Sequence, residues 1–415
     1  MPQPSPHSTP SRTDGPTHDV VIIGGGLVGA SLAIALDRLG MDVAQVEASP
    51  AGSLPPVFDQ RNLSFADATV NALSALGVMQ ELLLPPAPIR RIHVSRAGDF
   101  GRVCMAASDY GREAFGQVVV ASDFGQALET RLAQLQGMTR YRPARFVGCS
   151  VDGDLCRVRI AQDGEERTVQ ARLLVGADGS ASGVRAALGI DADERDYDQT
   201  LLVARVRASR APDGTAWERF TAHGPTAVLP RGDRHYGVVH GVARSQAEAA
   251  MGWDDATYLA HIQAAFGWRA GRFLSAGPRS AYPMVRVVAQ RTVAARAVLV
   301  GNAAQSMHPV GAQGFNLGLR DALTLAELLA EQRDDPGSEQ LLASYAQRRR
   351  EDRERTLEFS DGLARVTAND APLLRPLRAL GMLAVDRLPA LQARVAGGAM
   401  GYRGQVPALC RRTPA

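Results

Sequence analysis

Lysine is absent from all 415 residues: the 46 basic side chains are arginine throughout. That absence excludes Schiff-base chemistry and a Walker A phosphate loop, both of which need the amine. Its simplest source is a compositional bias of the genome. Cysteine is scarce, with Cys104, Cys149, Cys156 and Cys410 at no metal-ligand or Cys-x-x-Cys spacing. No metal site is implied, and the four read as ordinary thiols of a cytoplasmic protein. The net charge is only +3 and aromatics are 5%. With no basic stripe interleaved with aromatics, nucleic acid is not an expected partner. Long apolar runs are missing as well. Residues 20–36 and 297–319 lack Asp, Glu and Arg. The first stretch is short for a membrane span and contains consecutive glycines. The second carries Asn302, Gln305, His308, Pro309, Gln313 and Asn316, which argue against a span. Residues 1–18 are rich in Pro, Ser and Thr without an apolar core, and read as a mobile tail rather than a signal peptide.

What is present describes a globular chain of two or three domains. Apolar residues make up 45% and glycines number 41, with enough chain to bury a large core. Val20-Val21-Ile22-Ile23 reads as a parallel strand buried on both faces. Gly24-Gly25-Gly26-Leu27-Val28-Gly29 follows, then a helix over 30–36 ending near Gly40, then a second strand over 42–46 that closes on Glu47. Each part suits a dinucleotide. Gly24 allows the tight turn, Gly26 leaves room for a pyrophosphate, and Gly29 lets the helix lie close to the strand. Free N–H groups and the dipole at the helix start face the phosphates. Glu47 can accept ribose hydroxyls; the alternative is a solvated acid at a strand end. This unit does not choose between FAD and NAD.

Two later motifs bear on that choice. Residues 172–185 read as a strand, a turn with Asp178-Gly179 and a short helix carrying Ser182 and Arg185. Residues 297–322 read as a strand, a glycine-rich loop and the start of a helix that runs to about Glu331. A flavin gains negative charge when reduced, and a helix N-terminus stabilises such charge by up to ~1–2 kcal/mol. Gly311 and Gly314 let the backbone approach a flat ring. Asn316, placed at the start of that helix, can bond the ring edge or cap the helix. His308 has no second histidine at ligand spacing. It reads as a loop-shaping residue, not as a general base.

With the motifs at Gly24, Asp178-Gly179 and Gly301 in this order, the chain from Asp19 to about Gly401 resembles the class A flavin-dependent aromatic hydroxylases. The resemblance implies FAD held by Gly24, Gly26, Gly29, Glu47, Asp178, Gly179, Asn302, Gly311, Gly314, Phe315 and Asn316. It implies NAD(P)H as reductant, and Pro309 at the reactive face of the flavin with His308 beside it. Arg61 and Gln126 match positions near the flavin, with a surface role as the alternative for each. Asn302 and Gln305 stand where most of the family has Asp and His. That departure, together with residues 218–225, 265–269 and 280–283, resembles one subgroup: the 2-polyprenyl-6-methoxyphenol hydroxylases of ubiquinone biosynthesis. The Asn302 amide can still bond a ribityl hydroxyl.

The fold expected is α/β (α+β overall): a Rossmann-like FAD-binding domain with an inserted, mostly antiparallel substrate sheet and C-terminal helices, as in p-hydroxybenzoate hydroxylase. The expected boundaries are a tail at 1–18, a discontinuous FAD-binding domain at 19–75, 102–188 and 285–345, a substrate domain at 76–101 and 189–284, and a helical region at 346–415. The implied reaction is hydroxylation of a prenylated methoxyphenol with NAD(P)H and O2 through a flavin C4a-hydroperoxide. A non-catalytic flavoprotein subunit of a ubiquinone-biosynthesis assembly, prompted by Asn302, and a different hydroxylase of the same fold are the alternatives. A halogenase of this fold would need a channel lysine that is missing here. A plain NAD dehydrogenase would leave residues 301–321 without a role. Other ubiquinone-biosynthesis enzymes are candidate partners. The leucine- and arginine-bearing stretch 373–395 has two readings: a patch resting on anionic lipid at the inner membrane, or a helical pair packed on the flavin domain, which is preferred.

Overall fold

The computed structural model describes residues 15–221, 224–368, 371 and 374–412. Most of the tail expected over 1–18 therefore lies outside the described residues, as do Ala222, His223 and Leu373. Thr17 and His18 are not part of a tail. They open the first strand, Thr17–Ile23. The buried His18 ring reaches Asp42 at 3.0 Å and the Tyr141 hydroxyl at 3.3 Å, which pins the strand before its apolar run begins.

Five parallel strands form the base of the first sheet. In spatial order they are Ala297–Leu299, Glu165–Gly176, Thr17–Ile23, Val43–Val46 and Met138–Tyr141. Val20, Val21 and Ile22 are wholly buried, because both faces of the sheet are covered. Val20 and Ile22 pack against helices Leu27–Asp37, Ala121–Ala133 and Gln313–Glu331. Val21 and Ile23 pack against an antiparallel extension, Ala144–Asp152 with Leu155–Gln162, and a short helix, Gly183–Ala187. The second sheet has nine strands and is antiparallel except where Thr215–Thr221 runs parallel to Arg91–Arg96. Its longest strand, Ala192–Ala208, changes register between Asp196 and Thr200. Helix Asp255–Phe266 covers its outer face.

Two expected boundaries fall inside elements, and two strands pair outside the half assigned to them. Arg102–Ala106, read as part of the FAD-binding domain, pairs with Arg91–Arg96 in the second sheet. Ala87–Pro88, read as part of the substrate domain, pairs with Gly116–Val120 in a small third sheet shared with Asn62–Ala66. Strand Ser280–Ala289 crosses the expected boundary at 284, and helix Glu339–Ala368 crosses that at 345. Single strands and helices here serve both halves, so no turn residue marks the transfer.

The charge-dense stretch within helix Glu339–Ala368 predicts a solvated surface with Glu351 paired to Arg355. That pair forms at 2.7 Å between half-exposed side chains. The other side of the helix differs: Tyr345, Arg349, Asp352, Thr356 and Ser360 are buried. Arg349 Nε donates to Asp321 at 2.7 Å, and its other nitrogen donates to Asp352 at 2.8 Å. Arg320 donates to both Asp352 oxygens, at 2.7 and 3.1 Å. Burial alone would raise the Asp352 carboxyl, but the Arg320 and Arg349 guanidiniums bring it down to about 2. Asp321 also accepts Gln305 Nε2 at 2.6 Å and the Gly301 N–H at 3.3 Å. Gln305 Oε1 in turn accepts Arg353 Nε at 2.8 Å. The network thus ties the long helix to the glycine-rich loop. Removing one partner strands buried charge. Arg349→Met should lower unfolding free energy by about 3–5 kcal/mol, whereas Arg355→Ala should change it by less than about 1 kcal/mol. Chemical denaturation of the two variants checks both.

Candidate active site

The glycine-rich turn after the first strand is set by steric limits. Gly24 has φ +112°, and a Cβ there would lie 2.4 Å from the Ala177 carbonyl oxygen. A Cβ on Gly29 would lie 2.1 Å from the Gly24 carbonyl oxygen, so helix and turn touch only through glycine. Gly26 is different, since its Cβ position meets nothing nearer than Val57 at 3.7 Å. It opens onto a cleft of about 510 Å³ lined by Gly24, Glu47, Asp178, Gly179, Asn302 and Phe315 among others. The helix that starts there has no side-chain cap and no acid in its first turn. Its N–H groups and positive dipole end are left for an anion.

The acids of the cleft are held by backbone donors and by the Ser182 hydroxyl. Glu47 is buried, and its two oxygens accept the N–H of Gly25 and of Ser49, each at 2.7 Å. It is not the solvated strand-end acid of the alternative reading. Each oxygen keeps a lone pair for a hydroxyl. Asp178 accepts Ser182 Oγ at 2.6 Å and the Val184 N–H at 3.1 Å. Arg185 bridges from this turn to Ala303 of the glycine-rich loop at 3.0 Å.

A second cavity, of about 230 Å³, lies between the nine-stranded sheet and the 309–313 loop. Its walls are mostly apolar, with Ile92, Val94, Leu201, Phe220, Val239 and Phe359 among them. Pro309, Gly311 and Asn316 belong to this cavity, while Phe315 belongs to the cleft. The start of helix Gln313–Glu331 therefore separates the two spaces. Gly311 has φ +70°, as the turn into that helix demands.

Residues 17–360 match the FAD binding domain family. The chain is 35% identical over 403 residues to the ubiquinone hydroxylase UbiL of Rhodospirillum rubrum, spanning 95% of this chain and 93% of that one. It is 29% identical to the 3-demethoxyubiquinol 3-hydroxylase of Escherichia coli, over 94% of this chain and 100% of that protein. Among solved structures it is similar to the p-nitrophenol 4-monooxygenase PnpA of Pseudomonas putida, with a TM-score of 0.79 at 18% identity, covering 94% of this chain and 99% of that one. The chain belongs to the FAD-dependent hydroxylases.

The cleft fits the cofactor of that family. It offers an open space over Gly26, an uncapped helix start for a pyrophosphate, fixed carboxylate oxygens on Glu47, and the exposed Asn302 side chain in place of the more usual acid. Phe315 stands on a base of Phe65 and Phe124, with ring centres 5.3 and 5.5 Å away. Gly314 has open space where a Cβ would be.

Three expected site residues sit differently. Asn316 does not open its helix, which begins at Gln313 with Ala312 at the cap position. Both Asn316 amide hydrogens are committed, to the Ser64 carbonyl at 2.9 Å and the Ala312 carbonyl at 2.7 Å, and its oxygen accepts the Ala66 N–H at 2.8 Å. It braces the helix start against strand Asn62–Ala66, and is neither an N-cap nor a free donor to a ring edge. Arg61 lies outside the lining of both spaces, held by both oxygens of Asp59 at 2.8 and 2.9 Å and stacked 4.2 Å from the Tyr282 ring centre. Gln126 is exposed on the second turn of helix Ala121–Ala133 and also lines neither space.

His308 is buried, and its ring meets Tyr197 edge-on at 5.0 Å. Its Nδ1 accepts the Val310 N–H at 3.3 Å, and its carbonyl accepts Ser360 Oγ at 2.7 Å. It shapes the loop that carries Pro309 without lining either large space. A residue missed in the sequence faces the apolar cavity instead: Glu218. Strand alternation was the available signal, because Ala216, Glu218 and Phe220 share one face and only the middle residue is charged.

Burial pushes the His308 ring down to about 4, against the pull of Asp361. The unfolded chain protonates at the ordinary histidine value and the folded one does not, so this residue removes stability as pH falls from about 6.5 toward 4. The melting-temperature gap between wild type and His308→Gln should therefore narrow between pH 7 and pH 5. A widening gap would mean that the buried ring gains a proton in place.

Proposed function

We propose that the protein hydroxylates the ring of a prenylated methoxyphenol in ubiquinone biosynthesis. The observation that carries this reading is the contact of the two spaces: an apolar, ring-sized cavity meets the dinucleotide cleft across the start of helix Gln313–Glu331. The names of the similar proteins, ubiquinone hydroxylase and 3-demethoxyubiquinol 3-hydroxylase, support the substrate class. Bound FAD, reduced by NAD(P)H, activates O2 and supplies one electrophilic oxygen atom. The protein's part is to hold the ring beside Pro309, to keep water out with the apolar walls, and to present the uncapped helix start to developing negative charge. Isotopically labelled O2, NAD(P)H and a short-chain prenylated methoxyphenol should give a product with one labelled oxygen by mass spectrometry. A deletion strain should accumulate the unhydroxylated precursor. A protein that binds FAD but forms no labelled product would instead be the non-catalytic subunit.

A cavity of about 230 Å³ takes a ring and little more. A polyprenyl tail must leave it. Val395 and Ala399, on helix Pro389–Ala399, form part of the cavity wall. The outer surface of this helix and of Leu374–Arg387 exposes Leu377, Leu380 and Leu391, with Leu388 exposed between the two. Among the described residues no helix is long and apolar enough to cross a membrane. We infer a peripheral contact with anionic lipid, with the tail passing from cavity to bilayer beside these helices. Of the arginines expected on that face, Arg387 and Arg394 are exposed, whereas Arg378 is buried and donates to Asp99 at 2.6 Å. The helices thus pack on strand Arg102–Ala106 of the second sheet and not on the flavin domain as expected, and the apolar side they expose supports the lipid reading. The double variant Leu377→Glu/Leu380→Glu should lower co-sedimentation with anionic vesicles by about tenfold and leave turnover of a short-chain substrate in detergent unchanged.

A further inference from the structure

We propose that Glu218 is the polar anchor of the apolar cavity: its carboxylate receives the hydroxyl of a phenol and holds the ring beside the 309–312 loop. The residue lies in the middle of strand Thr215–Thr221, between Val94 and Ala227 on the neighbouring strands. Alternation sends Ala216, Glu218 and Phe220 to the cavity. Trp217 also borders the cavity while its indole packs on Phe266, and Arg219 turns away, its guanidinium donating to the Phe266 carbonyl at 3.2 Å. Phe359 and Leu363 face the cavity from helix Glu339–Ala368.

The side-chain amides of this cavity are each tied at one end, although Asn62 Nδ2 and Gln313 Oε1 are left without a partner. Asn316 is committed to backbone groups, Asn62 accepts Arg231 at 2.7 Å, and Gln313 donates to the Gly311 carbonyl at 3.1 Å. Arg403 is the one other ionisable residue of the lining among the described residues, and its guanidinium lies over the Phe359 ring at 4.7 Å. The Gly311 backbone N–H faces Glu218 closely enough to pull its carboxyl down. A carboxylate has about four acceptor positions, so most remain for a ligand. Burial pushes its carboxyl up to about 7, against the pull of that N–H. A carboxylate kept in an apolar wall without a cation is costly unless a ligand donor meets it.

The chemistry follows from the placement. As the ring attacks the activated oxygen, the phenol proton passes to a Glu218 oxygen and its electron pair moves into the ring. When the attacked carbon releases its hydrogen as a proton to water, the ring regains aromaticity and Glu218 returns a proton to the phenol oxygen. Glu218 is regenerated, and the oxidant is the O2 of the hydroxylation reading, on which this step rests. The binding role does not rest on it.

The test uses the FAD-loaded protein with two probes, guaiacol and veratrole, which differ by one hydroxyl hydrogen and are followed by perturbation of flavin absorbance. Wild type should prefer guaiacol by about tenfold or more, and the preference should grow as pH rises through about 7. Glu218→Gln, isosteric and expected to fold, should flatten that pH dependence, and Glu218→Leu should abolish the preference. Glu218→Gln should also lower kcat for a hydroxylated substrate more than it raises KM. An unchanged preference in Glu218→Leu, or an unchanged pH dependence in Glu218→Gln, overturns the proposal. Wild type that binds guaiacol in this Glu218-dependent way but hydroxylates no phenol supports the anchor and sinks the hydroxylase reading alone.

Discussion

The loop between the two spaces is positioned by charge buried beneath it. Asp321 holds the Gly301 N–H and Gln305, and is itself held by Arg349. Through Asp352 the same guanidinium reaches Arg320, two turns along the helix that separates cleft from cavity. Isolated, any of these ions would cost several kcal/mol in such surroundings. Together they form a joint with few alternative geometries, since bidentate guanidinium–carboxylate contacts fix angle as well as distance. The polar network under an apolar floor thus sets where Pro309 and Gly311 stand, and through them the distance between a ring in the cavity and a flavin in the cleft.

The legible parts of the sequence were those in which backbone geometry selects a residue type. Gly24, Gly29 and Gly311 announce turns or contacts that a side chain would prevent. The strand–helix–strand order around them was readable from apolar runs. Asn316 was not readable, because its role depends on a strand some 250 residues away that supplies the Ala66 N–H and the Ser64 carbonyl. Nor was the buried side of helix Glu339–Ala368. Arginine and aspartate in a charge-rich run look solvated until a second helix brings Arg320 and Asp321 against them. Arg61 misled in the opposite direction, since a neighbouring Asp59 satisfies it locally.

Asn302 and Gln305 show why a departure from a family pattern need not change the chemistry. Gln305 meets a carboxylate on one side and a guanidinium on the other, and a primary amide serves both, donating to Asp321 and accepting from Arg353. It is neutral at every pH, so the network keeps its charge where a histidine would titrate. Asn302 keeps donor and acceptor capacity in the cleft without adding a negative charge.

The same reasoning accounts for the distribution of charge around the start of helix Gln313–Glu331. No acid stands in its first turn, and its first charged residues, Arg320 and Asp321, are already paired below. The network contains three guanidiniums, on Arg320, Arg349 and Arg353, against two carboxylates, on Asp321 and Asp352. Its excess is positive, and so is the end of the helix dipole. Both favour negative charge on a flavin above the loop. Glu218 is the one acidic residue lining the cavity on the far side of that loop among the described residues. Positive potential gathers where the cofactor gains electrons, and the lone acid sits where a phenol must give up a proton. That division of charge across one loop lets a mostly apolar site assist both halves of an oxygen transfer.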